Sequence, residues 1–221
     1  MERYLSALRE CTLFDGISGE ELSRMLVCLG AKKMHFAKRE CIFEEGAPSR
    51  YIGLMLSGSA LIERNDFYGN RSIVDTVEVS DIFCESFAAA KIDKMPVSVV
   101  ASEDCEVMLI DCARILCTCE NTCSFHRNLI FNFAKDLASK NIDAYGKIEI
   151  TSKRTTRDKL MAFLLIYAKR TGKNEFDIPF DRQQLADYLE VDRTGLSSEI
   201  GRLTREGVLT SNKKHFVLLS D

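Results

Sequence analysis

Arg193, Thr194, Ser197, Ser198 and Arg202 fall within ten residues and come to one side if RTGLSSEIGRLTR is helical. Guanidinium forks and short hydroxyls are the groups that hydrogen-bond base edges and phosphates. The other side of the same stretch carries Leu196, Ile200 and Leu203 at i, i+4 and i+7, a single apolar stripe. The preceding stretch, RQQLADYL, turns Leu185, Ala186 and Leu189 inward and begins with Arg182 and Gln183, two further candidate contacts. Asp181 and Gln184 make an N-terminal capping pair, Glu190-Val191-Asp192 makes a turn, and Asp192 is placed to cap the second helix. Small Ala186 lets the two helices cross closely. These features predict a helix-turn-helix whose second helix offers its side chains to a major groove. An ordinary helical hairpin with a solvated outer face shares the apolar pattern. The following VLTSNKKHFVLL, two apolar runs around an Asn-Lys-Lys turn, predicts a β-hairpin wing and favours the first reading.

Charge follows the same division. The whole chain of 221 residues carries a formal −3, but residues 152–221 hold 13 Lys/Arg against 10 Asp/Glu, and residues 1–151 hold 17 against 23. A basic end beside an acidic body suits a nucleic-acid partner at the C-terminus. No apolar run approaches 18 residues and MERYLSALREC does not resemble a signal peptide, so a cytoplasmic protein with no membrane partner is expected. Nine cysteines, odd in number and irregularly spaced, indicate a reducing compartment rather than a disulfide framework.

Along the chain, residues 2–10 and 18–29 read as helices, the second opening on a Ser18/Glu21 capping box. From Lys32 to Asp111 the period changes to two. Phe36, Ile42-Phe43, Ile52 to Leu56, Ala60 to Ile62, Ser72 to Val79, Val97 to Val100 and Val107 to Ile110 are short strands of a barrel, sandwich or roll. After Leu116 the chain is helical again. Ile130, Phe133, Leu137, Asn141, Ala144 and Ile148 recur at spacings of three and four, close to a heptad seam, which predicts self-pairing of a long helix. The alternative is a helix packed only on its own β-domain. The pattern breaks at Thr151-Ser152, a further helix carries Leu160, Phe163, Leu164 and Tyr167, and Phe176 to Phe180 reads as a strand.

In this order of elements the chain resembles the Crp/Fnr family of bacterial transcription regulators, named for the cyclic-AMP receptor and the fumarate-nitrate regulator. EEGAPSRYIGLMLSGSALIERNDFYGNRSIVDTVEVSDIFCES is similar to the family's β-roll, with Gly46, Gly58 and Asp81 at its turns, and RQQLADYL…RTGLSSEI is similar to its DNA-binding helices. The resemblance implies an α+β chain: a β-roll effector-sensing domain over 1–123, a long dimerisation helix over 124–150 and a winged helix-turn-helix over 151–221. It implies a homodimer on a palindromic operator in double-stranded DNA, a small-molecule effector in the roll, and RNA polymerase as a partner if the chain activates transcription.

The chain departs from the family's cyclic-nucleotide cassette. Phe83-Cys84-Glu85-Ser86 keeps the acid that would meet a ribose hydroxyl, but Met95-Pro96 stands where nucleotide-binding members carry Arg-Ser. A buried phosphodiester needs a cation, Met95 supplies none, and Lys91 and Lys94 fall on the adjoining loop. The expected pocket of Phe83, Cys84, Glu85, Ser86, Met95, Val97 and Ser98 therefore suits a small, less charged effector, not cyclic AMP. The recognition helix departs too, with Arg193-Thr194 and Ser198 in place of Arg-Glu and a later Arg, and Glu190 replaces the usual turn glycine.

Cys112, Cys117, Cys119 and Cys123 crowd twelve residues, but C-x4-C-x-C-x3-C is not a metal-ligand spacing, and only Cys11 and Cys28 lie near the N-terminus. His35, His126 and His215 are isolated. No cofactor is expected, neither an iron-sulfur cluster nor haem, and buried free thiols or a thiol-based sensor are the readings kept. No nucleophile-base pair, paired carboxylates or GxxxxGK[ST] loop appears, so an enzyme is not expected. A signalling module that binds protein rather than DNA is the rival function.

Overall fold

The computed structural model describes residues 4–117 and 124–219, and the chain divides into two compact units, 1–65 with 74–140 and 66–73 with 141–221. The division falls inside the long helix α5 (Ser124–Thr151), between residues 140 and 141. The reason lies in its side chains: Leu129 and Phe133 are core of the first unit.

The first unit opens with α1 (Leu5–Glu10), a 3-10 turn at Thr12–Phe14 and α2 (Gly19–Cys28). The capping box of α2 is present, with Ser18 N donating to Glu21 Oε2 at 2.9 Å. Then come β1 (Lys32–Phe36), β2 (Cys41–Phe43), β3 (Tyr51–Ser57), β4 (Ala60–Asn65), β5 (Arg71–Val77), β6 (Ile82–Phe83), α3 (Glu85–Ala90), β7 (Ser98–Ala101), β8 (Cys105–Asp111) and α4 (Cys112–Leu116). The strands make two four-stranded sheets, ordered β1-β8-β3-β6 and β2-β7-β4-β5.

Alternation along β3 builds two cores from one strand. Ile52, Leu54 and Leu56 face Leu8, Leu22 and Leu26 of the helices, with Leu129 and Phe133 of α5. Met55 faces the roll interior, with Phe36, Phe83, Met95, Val99 and Val107. A one-residue slip would exchange the two sets, so register is strongly specified here.

The second unit holds α6 (Thr156–Thr171), β9 (Glu175–Asp177), α7 (Arg182–Leu189), α8 (Arg193–Arg205), β10 (Leu209–Asn212) and β11 (His215–Leu218), with a sheet ordered β10-β11-β9. β9 stops short of the Phe176–Phe180 strand read from sequence because Pro179 has no N–H to donate. Phe163, Tyr167, Phe176, Phe180 and Tyr188 stack with ring centroids 4.8–6.1 Å apart. Residues 66–73, the turn from β4 into β5, cluster with this unit. There Arg71 Nε and Nη2 donate to Asp187 Oδ2 of α7 at 3.1 and 2.7 Å. Lys147 lies over the Tyr188 ring, 4.1 Å from its centroid.

The turn between α7 and α8 needs a left-handed residue, and Glu190 supplies it at φ 53, ψ 55. A side chain in that conformation costs about 1 kcal/mol. Lys159 offsets part of this by donating to the Leu189 and Glu190 carbonyls at 3.2 and 3.3 Å. Glu190→Gly is expected to stabilise the second unit by about 0.5–1 kcal/mol, read as a raised melting temperature. An unchanged or lowered melting temperature would show that the turn is not strained.

Candidate nucleic-acid interface and sensor interior

α7 opens on a reciprocal capping box and α8 on a single side-chain cap. Gln184 N donates to Asp181 Oδ1 at 2.9 Å, Asp181 N donates to Gln184 Oε1 at 2.7 Å, and Gly195 N donates to Asp192 Oδ1 at 2.8 Å. Leu185, Ala186, Leu189, Leu196, Ile200 and Leu203 are all buried, so one face of each helix is committed to the core. This leaves Arg193, Thr194, Ser197 and Ser198 exposed on α8. None of the four side chains makes a hydrogen bond or ion pair among the described residues, so their donors are free for an outside partner.

Other predicted contacts are engaged internally. Arg182 points at the wing: Nη2 donates to Ser211 Oγ at 3.1 Å and to the Lys213 carbonyl at 3.4 Å, and the guanidinium lies 5.5 Å from the Phe216 ring centroid. Burial lowers its pKa. It fastens α7 to the hairpin, so of the candidate DNA contacts Arg182 is half-buried and already engaged within the chain. Gln183 is exposed and donates to Asp187 Oδ1 at 2.7 Å.

Arg202 is exposed but sits in a four-member charge cluster. Its Nε is 2.9 Å from Glu206 Oε1, and Arg157 Nη1 of α6 is 2.7 Å from Glu206 Oε2 and 3.5 Å from Glu199 Oε1. The hydrogen bond from Arg157 is the first cause holding the Glu206 carboxyl below its usual range. Arg157 thus anchors the far end of α8, a role the sequence did not signal.

On α5 the predicted seam is displaced. Phe133 is 2% exposed and Leu137 is half-buried, both packed into the first unit's core, and Ile130 is also partly covered. The exposed stripe is instead Phe131, Ala134, Ala138, Asn141, Tyr145 and Ile148, again at spacings of three and four, with Ile142 beside it. Phe131, Ile142, Tyr145 and Ile148 are 60–70% exposed. At 100° per residue this stripe lies roughly 65° around the helix from the predicted one, with Asn141 and Ile148 common to both. Asn141, Ala144 and Ile148 of the predicted set are exposed.

Residues 33–121 match the cyclic nucleotide-binding domain family and residues 158–221 match the Crp-like helix-turn-helix domain family, in the order the fold shows. The chain belongs to the Crp/Fnr family of transcription regulators. The transcriptional activator protein FnrL of Cereibacter sphaeroides is 30% identical over 81 residues, which span 33% of this chain and 33% of that protein. The fold is similar to the c-di-GMP responsive global regulator CLP of Xanthomonas campestris, with a TM-score of 0.74 at 17% identity over 92% of this chain and 100% of that one. It is also similar to a CooA variant from Carboxydothermus hydrogenoformans, with a TM-score of 0.71 at 17% identity over 88% of this chain and 86% of that one. Among the described residues no helix is long and apolar enough to cross a membrane.

In this Crp/Fnr chain four of the residues expected to line an effector pocket are buried in one apolar cluster. Phe83, Cys84, Met95 and Val97 are 1–4% exposed and pack on one another in the roll interior. Ser86 is exposed, and Ser98 Oγ accepts from Glu45 N at 3.1 Å. Glu85 is buried and paired within the chain. Its Oε2 lies 3.1 Å from Lys140 Nζ of α5, and Lys140 is also 3.7 Å from Asp136 and donates to the Ile82 carbonyl. Burial is the largest influence on Lys140 and pulls its pKa down, but Glu85, Asp136 and Asp81 together raise it, so the ammonium stays charged. Lys140 was missed because the only sequence cue is an i, i+4 pair with Asp136, which is ordinary on a helix surface.

The thiols divide by burial. Desolvation pushes Cys11 up to about 12 and both Cys105 and Cys112 up to about 11, and raises Cys84 further. Cys28 and Cys117 are exposed, while Cys119 and Cys123 lie outside the described residues. His126 is buried with Nε2 2.9 Å from the Ile115 carbonyl, and His215 Nδ1 is 3.1 Å from Asp177, so both have protein partners. Among the seven described cysteines, alkylation of the native chain should modify Cys28 and Cys117 well before Cys11, Cys84, Cys105 and Cys112. Peptide mapping after short iodoacetamide exposure checks this, and early labelling of Cys84 would show an open roll.

Proposed function

We propose that the chain is a non-catalytic, DNA-binding transcription regulator that binds a palindromic operator as a homodimer. The observation that carries this reading is the free donor face of α8: Arg193, Thr194, Ser197 and Ser198, exposed and uncommitted at the capped start of the helix. The exposed stripe from Phe131 to Ile148 supports pairing with a second copy, since Phe131, Ile142, Tyr145 and Ile148 on or beside it are large apolar side chains that are costly to leave in water. Two-fold symmetry then puts the half-site centres about one DNA turn, roughly 34 Å, apart. Where the chain activates, RNA polymerase is its further partner.

Duplex binding measured by anisotropy at several salt concentrations tests the reading, with the operator first selected from random duplexes. A steep fall of affinity with salt and a preferred inverted repeat are the expected results. Salt-independent or absent duplex binding would favour the rival, a module whose C-terminal domain binds protein.

A further inference from the structure

The segment from Ser80 to Lys91 is held in an unusual way at three points. Ser80, Cys84 and Lys91 all adopt left-handed backbone conformations, at φ 76, 62 and 53, without being glycine. Such residues persist only where the surroundings over-determine them, and they gather at binding sites and switches. Between them, two nearly adjacent side chains go to opposite sides. The Phe83 ring enters the roll interior, 5.7 Å edge-on to Phe43, and lies directly over Gly53, where a Cβ would come within 2.1 Å of its ring. Glu85 leaves the interior and meets Lys140 of α5 with a side chain only 5% exposed.

We propose that this segment is the roll's own ligand: Phe83 fills the interior that a cyclic-nucleotide-binding domain needs for its effector, and Glu85 on Lys140 latches α3 to α5 in the closed arrangement. Gly53 is the cradle that makes room for the ring. Met95 belongs to the same filled core, so the missing cation there needs no replacement, because there is no phosphodiester to neutralise. The regulator is then competent for DNA without any small molecule in its roll. This rests on the DNA-binding reading above, and the experiment separates the two.

Exhaustively dialysed full-length chain is titrated with duplex DNA, with and without millimolar cyclic AMP or cyclic GMP. The proposal expects a change in affinity of no more than about twofold, and a change of tenfold or more would overturn it. Two arms stay informative if DNA binding itself is absent. Indole should raise the melting temperature of Phe83→Ala, where space has been opened, and leave the unmodified chain unchanged; an equal rise in both would overturn the plug. Lys140→Met should speed hydrogen exchange of amides 85–90 by about tenfold or more, and Lys140→Arg should restore slow exchange. Unchanged rates in Lys140→Met would overturn the latch, and this arm holds even if Phe83→Ala fails to fold.

Discussion

Ile142→Asp combined with Tyr145→Asp is expected to convert a particle of about twice the 25.0 kDa chain mass into a monomer. Tyr145 stands on the exposed stripe of α5 and Ile142 beside it, 66% and 70% exposed, and neither is among the buried core residues of the single chain. In a two-fold pair the double substitution brings four carboxylates into an apolar seam, where like charges have no partner and burial costs several kcal/mol. Affinity for a full operator should fall by about a hundredfold or more, because each half-site would then be bound without the effective concentration its partner supplies. The fold itself should survive. Phe133→Ala behaves in the opposite way: it leaves the stripe intact and costs about 3–5 kcal/mol of stability, since its ring is 2% exposed in the first unit's core. Sedimentation and thermal melting of the two variants separate the roles. A double variant that still sediments as a pair would exclude this face as the seam.

Arg193→Ala should cost about 1–3 kcal/mol at each half-site and relax preference at one base pair, because a bidentate guanidinium contact to guanine has no substitute in the neighbouring hydroxyls. Arg193 is the first residue of α8, exposed and free of internal partners, so it is pre-positioned to enter the groove first. Arg202→Ala should do much less to DNA. Its charge is already balanced within the cluster of Arg157, Glu199 and Glu206, so the salt slope should shrink by well under one unit per half-site. Stability should change by about 1 kcal/mol or less, as is usual for exposed ion pairs. Titrations of both variants on operator and scrambled duplex at several salt concentrations test the contrast. An unchanged specific-to-nonspecific ratio in Arg193→Ala would remove this helix as the base reader.

The helix-turn-helix was legible because everything that makes it lies close in sequence. The caps Asp181, Gln184 and Asp192, the apolar stripe of each helix and the turn at Glu190 are all local, and local periodicity encodes local structure. The strands of the roll were legible for the same reason. The long helix was legible as a helix, but its two faces were not. Periodicity adds together every apolar residue on a helix, so the predicted seam at Phe133 and Leu137 ran between the face that packs on the roll and the face left exposed. Deciding which residue meets which partner requires the roll to be in place. The same holds for three side chains whose internal partners appear only in the tertiary structure. Phe83 reads as one more strand hydrophobe until Gly53 from another strand appears beneath it. Glu85 keeps the family's acid and meets Lys140, distant in sequence. Arg182 reads as a surface cation until the wing folds back over it. The sequence by itself determined the main helices and strands and their order, since those follow from neighbours along the chain, while the short β6 and α3 carry too few residues to show a period. Only the tertiary structure decided which charges remain free and which interior remains open, because both depend on contacts between residues far apart in sequence.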